Sequence, residues 1–167
     1  MDNQKILDKG LDRYLKEIEI LSNKSAKIGV LAKVSSEKSE DGDITLYEKA
    51  VKNEFGIGVP KRSFMRVSFD IFLANNELLF KNLEKSMFSG NMTGGQILNI
   101  MGQTHTDQIK RTIKEGRQHF KLNSKKWSKI KGLPQIENAT PEEVTPLIHT
   151  GQMRQSITFK VVENGEN

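Results

Sequence analysis

The stretch "YEKAVKNEFGIGVPKRSFMRVSF", Tyr47–Phe69, decides the fold because it holds a helix end, a rigid connector and a helix start in one short run. The preceding Thr45 and its neighbour Glu48 have capping-box spacing, which predicts the start of a short helix. Gly56 can adopt a positive φ angle and is expected to end that helix. The segment therefore predicts two helices that are joined at a fixed angle.

A second helix is expected directly after the connector. Pro60 fixes its own φ angle and biases the preceding residue away from helical conformation. Ser63 is then expected to cap a long helix. Its apolar positions are Phe64, Val67, Ile71, Leu78, Leu79 and Leu83.

Upstream of this stretch the pattern changes from helix to strand. Residues 2–23 have apolar side chains at Leu7, Leu11, Tyr14, Ile18 and Leu21, a spacing that predicts an amphipathic helix. The segment "AKIGVLAKV", residues 26–34, alternates apolar and other residues and predicts a half-buried strand. The polar segment "SSEKSEDGD", residues 35–43, is expected to be an exposed loop.

Downstream, "SGNMTGG" is expected to break the long helix, and Gln96–Lys114 is predicted as a further helix. The segment "SITFKV", residues 156–161, alternates again and predicts a second strand. Because two strands do not form a stable sheet by themselves, helices must cover them. We therefore predict an α+β fold in which a small antiparallel sheet packs on long helices, with a long extended loop or hairpin.

The length of 167 residues favours a single domain that spans residues 1–167. We divide it into an N-terminal helix (1–23), a strand with helices (24–116), a basic loop (117–145), a C-terminal turn and strand (146–162) and a tail (163–167). The chain has no cysteine, so disulfides and thiolate metal ligands are excluded. Neither a signal peptide nor a membrane span is predicted, so we expect cytoplasmic synthesis and no membrane partner.

Positive charge is concentrated in one region. The net charge is +5, and nine bases lie between residues 110 and 131 against the single acid Glu115. Two interpretations stay open. In the first, these basic side chains and Trp127 contact the phosphates and nucleobases of a nucleic acid without sequence specificity. In the second, the segment attaches to the body of its own chain or to a neighbouring subunit. The candidate contact residues are Lys121, Lys125, Lys126, Trp127, Lys129 and Lys131.

No pattern predicts catalysis, a cofactor or a metal. His105, His119 and His149 are not at ligand spacing from one another. A nucleophile at Ser156 would need activation by His149, but no Gly-x-Ser-x-Gly turn is present. The glycine pairs in "GIG" and "TGG" lack the Gly-Lys-Ser/Thr ending of a phosphate-binding loop and are interpreted as turns.

Two blocks of sequence resemble a known family. The first contains Glu54, Phe55, Gly56, Pro60, Arg62, Phe64, Met65 and Arg66, with Lys61 at a usual alanine and Ser63 at a usual proline. The second contains Pro146, Leu147, Ile148, Thr150, Gly151, Met153, Arg154, Ser156 and Ile157, with His149 at a usual aspartate. In this order they resemble the tail-completion, or neck, proteins of tailed bacteriophages, over about residues 27–162.

The resemblance implies a non-enzymatic structural protein of the virion. Such proteins form rings, commonly sixfold, that join the tail to the head connector while DNA passes through the lumen. Partners would be further copies of the chain, the connector, and tail terminator or tail tube proteins. The alternatives are a tail terminator that caps the tube, a small non-specific nucleic-acid-binding module and, weakest, a hydrolase.

The family motifs are expected to act as packing hinges. Phe55 should bury beneath the turn at Gly56, and Phe64 should enter the core. Arg62 and Arg66 should pair with Glu54 or with an acid of an adjacent subunit. In the second block Thr150 should cap the turn "GQMRQ", Leu147 and Met153 should close over the sheet, and Ile157 with Phe159 should complete it.

Overall fold

The computed structural model describes residues 2–31, 36–39, 44–122, 146–148 and 151–165. Helices dominate this part of the chain, and its sheet has two strands. In chain order the elements are α1 (Asp2–Asn23), β1 (Lys24–Val30), α2 (Leu46–Phe55), α3 (Phe64–Asn75), α4 (Glu77–Phe88), α5 (Gly94–Lys114), α6 (Gly116–His119), α7 (Gln152–Gln155) and β2 (Ile157–Glu163).

The amphipathic N-terminal helix α1 has its predicted bounds but not the single buried face that was expected. Tyr14 and Leu21 pack against a core cluster formed by α4 and α5, whereas Leu11 and Ile18 are exposed. A carboxylate oxygen of Glu17 accepts a hydrogen bond of 2.6 Å from the amide of Gly94. This amide belongs to the first turn of α5, where backbone donors lack partners inside the helix.

The two strands pair antiparallel, as predicted. Ile28 lies opposite Phe159 and Val30 opposite Ile157, so the apolar residues of both strands share one face. β1 begins at Lys24 and ends at Val30, earlier at both ends than predicted; residues 32–34 of the predicted strand lie outside the described residues. The shared face packs on α5, where a Cβ atom on Gly102 would lie 2.4 Å from the ring of Phe159.

The single long helix predicted from Ser63 to Leu83 is two helices, α3 and α4. They are separated at Asn76, whose φ and ψ angles of −118° and 18° leave the helical region. The Asn76 side chain donates to the carbonyl of Phe72 at 2.8 Å, a local bond that competes with continuing the helix. The prediction failed because the apolar spacing continues across the break.

Helix α5 is the element on which the others pack. It starts at a capping box formed by Thr93 and Gln96 and extends to Lys114, close to the predicted bounds. Its apolar side chains enter two separate clusters, one beside the sheet and one beside α1 and α4. The buried apolar residues of α5 are Ile97, Ile109 and Ile113.

The observed class is the predicted one: α+β, with a small antiparallel sheet packed on long helices. The predicted basic loop begins differently, because residues 117–119 belong to the one-turn helix α6. Residues 123–145, which include the rest of the predicted loop or hairpin, lie outside the described residues. No helix in the described part of the chain combines the length and apolar character needed to cross a bilayer.

Candidate interaction site at the Glu54 hinge

The carboxylate of Glu54 joins the end of α2 to the start of α3. Its Oε2 accepts a hydrogen bond of 2.9 Å from the amide of Met65, and its Oε1 accepts one of 3.3 Å from the amide of Arg66. Both amides lie in the first turn of α3, where the helix dipole also favours a negative charge. Ser63 was predicted to cap this helix, but its hydroxyl donates to the carbonyl of Glu54 at 2.9 Å instead. Glu54 is therefore the capping side chain.

Gly56 ends α2 as predicted, with a left-handed φ angle of 77°. A Cβ atom at this position would lie 2.9 Å from the Cβ of Lys61, so the connector folds back closely on the helix end. The amide of Arg62 donates to the carbonyl of Asn53 at 2.8 Å and closes the turn. The connector between α2 and α3, with Pro60 at its middle, is thus held at both ends by backbone hydrogen bonds.

Arg62 ties the hinge to the beginning of the basic segment. Its side chain is buried, and its Nε donates to the carbonyl of Lys121 at 3.2 Å. Burial lowers the pKa of the Arg62 guanidinium from its ordinary value. The side chains of Arg62 and Arg66 were predicted to pair with Glu54. The contact that the structure shows is different: the carboxylate of Glu54 accepts a hydrogen bond from the backbone amide of Arg66, and Arg66 itself is exposed.

The two sequence blocks, far apart in the chain, meet in one core cluster. Phe64 from the first block packs with Met153 and Ile157 from the second. This confirms that Phe64 enters the core and that Met153 closes over the sheet. Ile109 and Ile113 of α5 complete the buried cluster, and Leu147 packs against it half-buried.

The second block turns sharply before it delivers β2. Leu147 has a φ angle of 71°, which is rare for a residue with a side chain, and Gly151 has one of 78°. Arg154 lies half-buried in α7, and the hydroxyl of Ser156 donates to the carbonyl of Met153 at 2.8 Å. Thr150, predicted as a cap, lies outside the described residues together with His149.

Phe55 does not bury beneath the turn: 59% of its surface is exposed. The prediction was wrong because Gly56 reverses the chain so tightly that the preceding ring stays on the outer side of α2. Phe55 borders an apolar groove of about 380 Å³ between α2 and the edge of β1. The groove is lined by Ile28, Gly29, Val30, Leu31, Tyr47, Ala50, Val51, Glu54, Phe55, Phe64, Met65 and Ile157.

The lining of this groove is mostly apolar, and Glu54 is its one charged residue among those that the structure describes. The carboxylate oxygens of Glu54 accept the capping hydrogen bonds from α3. The other acid of α2, Glu48, accepts a hydrogen bond of 2.8 Å from the amide of Thr45. Hydrogen bonds from the backbone and side chain of Thr45 lower the pKa of Glu48. A partner that enters the groove therefore meets a mostly apolar lining and one carboxylate that is already used in helix capping.

The basic segment is described only at its start. Arg111, Lys114, Arg117 and Lys121 are exposed near the end of α5 and beyond it, with Glu115 half-buried among them. The other candidate contact residues lie outside the described residues; these are Lys125, Lys126, Trp127, Lys129 and Lys131. Their assignment to a DNA or subunit contact stays a prediction.

No group of three or more His, Cys, Asp or Glu side chains in the described residues is placed to hold a metal ion. His105 instead packs among aromatic rings, stacked on Phe72 with 4.7 Å between ring centroids. Its Nε2 is buried and has no hydrogen-bond partner in the described part of the chain. Burial lowers the pKa of the His105 imidazole.

Sequence reasoning found the hinge but missed the groove beside it. Tyr47 and Phe55, which line the groove, and Ile57 in the connector are each more than half exposed. The signal in the sequence was weak. Large apolar residues that flank a capping box and a glycine-rich connector are as consistent with burial in the core as with exposure beside a groove. Comparisons with protein-family models, curated proteins and solved structures returned no match for this chain.

Proposed function

We propose that this protein is a non-enzymatic, ring-forming structural subunit of a phage neck, a tail completion protein that joins the tail to the head connector. The proposal takes its class from the two sequence blocks and its physical support from the groove. Phe55, a residue of the first block, is held outside the core beside an apolar groove. An exposed aromatic on a rigid hinge suits an interface, since such residues anchor many protein contacts.

A ring needs a contact between two different surfaces of the same chain. Such heterologous contacts close into a ring when the rotation between subunits fits. The groove at the Glu54 hinge supplies one of these surfaces. The proposed assembly is a homo-oligomer, sixfold by resemblance, that contacts the connector on one face and tail terminator or tail tube proteins on the other.

Genomic DNA is the proposed partner in the lumen. Arg111, Lys114 and Arg117 are exposed and close in sequence to the candidate residues from Lys121 to Lys131. Lysine and arginine side chains neutralise phosphates without reading sequence. A wall of such residues would let the duplex pass without a fixed register.

Electron microscopy and sedimentation of the purified full-length chain test the ring. We expect a closed ring for the wild type and loss of the ring in Phe55→Ala, with an unchanged melting temperature because the ring of Phe55 lies outside the core. Leu78→Ala is the matched control, since Leu78 is 71% exposed and lies away from the groove. A wild type that stays monomeric at every concentration contradicts the proposal.

The position in the particle needs a second experiment. Particles assembled without this protein should contain finished tails that fail to attach to heads, and the protein should be found in the neck of complete virions. Tubes of uncontrolled length would instead indicate the tail terminator. Particles that form normally would exclude both roles.

A further inference from the structure

Asn164 ties the end of β2 to the end of α1. Its backbone amide donates to the carbonyl of Asn23 at 2.7 Å, and its side-chain Nδ2 donates to the carbonyl of Ser22 at 2.6 Å. Both carbonyls belong to the last turn of α1, where backbone acceptors have no partner inside the helix. Asn164 is therefore a C-terminal cap of α1 that a distant segment of the chain supplies.

The residue that follows makes this cap chemically labile. Asparagine is among the least durable side chains, and Asn164 with Gly165 is the one Asn-Gly dipeptide in the sequence. Glycine has no side chain to keep its backbone nitrogen away from the preceding carboxamide. Both residues are exposed, and a Cβ atom on Gly165 would meet nothing within 4 Å beyond its chain neighbours. Water can thus reach the reacting atoms, and nothing packs against the backbone nitrogen to hinder it.

We propose that Asn164 is a site of spontaneous deamidation and that its conversion releases the end of β2 from α1. The backbone nitrogen of Gly165 loses its proton to the solvent and forms a bond to Cγ of Asn164. The bond between Cγ and Nδ2 then breaks, and this nitrogen takes up protons and leaves as ammonia. Water opens the resulting succinimide ring to aspartate or isoaspartate, so each conversion consumes one water molecule and releases one ammonia.

The hydrogen bond to Ser22 controls when the reaction occurs. While Nδ2 donates to the carbonyl of Ser22, the carboxamide is held in one orientation. The ends of strands open locally far more often than the whole fold does. The reaction therefore proceeds from the locally opened state, and each conversion removes the donor that would close it again.

The product is unfavourable at the end of α1. A carboxylate only accepts hydrogen bonds, so it would oppose the carbonyl of Ser22 and the negative end of the helix dipole. The last turn of α1 contains no basic residue to offset this charge. Lys24, the next residue, already pairs with Glu163 at 2.9 Å. The modified chain thus has repulsion where the unmodified chain has a bond.

Peptide mass spectrometry of the full-length chain, aged at mildly alkaline pH, tests the site. We expect Asn164 to deamidate several-fold faster than Asn91, which is also exposed but precedes a methionine. Gly165→Ala should slow the reaction, because its methyl group lies beside the attacking nitrogen. Equal rates at Asn164 and Asn91, or an unchanged rate in Gly165→Ala, would overturn the assignment.

Direct substitution tests the consequence without waiting for the reaction. Asn164→Ala removes the side-chain donor and should lower the melting temperature by about 2–4 °C, as the loss of one hydrogen bond does in a chain of this size. Asn164→Asp also adds the charge and should melt lower still. Hydrogen exchange should become faster at this end of the sheet and stay unchanged in the middle of α5.

Asn91→Asp is the matched control, since it adds the same charge in an exposed turn that caps no other helix. It should keep the wild-type melting temperature and exchange. Wild-type values in Asn164→Asp as well would contradict the release of β2 from α1. Both measurements use the isolated chain, so their outcome is independent of whether the chain forms a ring.

Discussion

Glu54 shows how much one side chain can decide. Its two carboxylate oxygens accept hydrogen bonds from two backbone amides of α3, and its backbone carbonyl accepts one from the hydroxyl of Ser63. This carboxylate therefore helps to fix the angle between α2 and α3, together with the backbone hydrogen bonds of the connector. That angle places Phe64 in the core and leaves Phe55 outside it.

Glu54→Ala should lower the free energy of unfolding by about 1–2 kcal/mol, as the loss of a helix cap does. Chemical denaturation measures this. Glu77→Ala is the control, because Glu77 makes an exposed ion pair with Lys81 that is worth only about 0.3–0.5 kcal/mol. Equal losses in both variants would contradict the capping role.

His105 should make stability depend on pH. Burial lowers its pKa in the folded state below the ordinary value of 6.5, so the unfolded chain takes up the proton first as the pH falls. The free energy of unfolding should therefore decrease as the pH drops below about 6.5, and this loss should level off once the folded state is protonated too. His105→Phe, which keeps an aromatic ring against Phe72, should remove this part of the slope between pH 7.5 and 5.5.

The comparison is His119→Ala, which changes an exposed histidine. It should retain the wild-type pH dependence. A wild-type slope that survives in His105→Phe would show that another group is responsible.

Between elements, the closest approach lies where the sheet meets α5. Phe159 lies over Gly102, and there is no room for a methyl group between them. The distance between β2 and α5 is thus set by the absence of a side chain. Larger residues at this position would push the sheet off the helix.

Gly102→Ala should destabilise the protein by about 1–3 kcal/mol, because the added methyl group forces the ring of Phe159 to move. Gly95→Ala on the same helix has no atom within 4 Å of the added Cβ. It should be neutral or stabilise by up to about 1 kcal/mol through helix propensity. Thermal unfolding of the two variants distinguishes packing from propensity, and similar melting temperatures would contradict the packing argument.

Signals that act between near neighbours predicted the elements well. The capping box at Thr45, the turn at Gly56 and the bounds of α1 depend on residues within a turn or two, so the sequence carries them. The break at Asn76 and the exposed side of Phe55 depend on what the rest of the fold does. Periodicity cannot show that a face stays uncovered, which is why the exposed Leu11 and Ile18 of α1 and the groove emerged only from the structure.

At the scale of the whole molecule, the charge is uneven. Five bases and one acid lie between Lys110 and Lys121, and four further bases follow before Gly132. None of the described bases of this region lines the groove between α2 and β1. Assembly and DNA contact should therefore respond to different substitutions.

Lys125→Glu/Lys126→Glu/Lys129→Glu should weaken binding of the assembled protein to duplex DNA and leave the ring intact. Each lost phosphate contact reduces the magnitude of the slope of log affinity against log salt by about 0.9. The slope of the triple variant should therefore be smaller in magnitude by about 2–3. Fluorescence anisotropy between about 50 and 200 mM salt measures the slope. Lys81→Glu/Lys85→Glu on α4 is the control for a general charge effect. Identical slopes in all three proteins would favour the subunit-contact interpretation, in which Trp127→Ala instead prevents tails from joining heads.

The pairing of β1 with β2 brings an early and a late segment of the chain side by side, and Asn164 adds hydrogen bonds to Asn23 and Ser22. A ribosome must therefore have synthesised β2, more than 120 residues after β1, before the sheet can close. Prematurely terminated products would lack β2 and with it the partner of β1. Translation through β2 thus becomes a condition for the complete fold, so copies truncated before it cannot form the sheet.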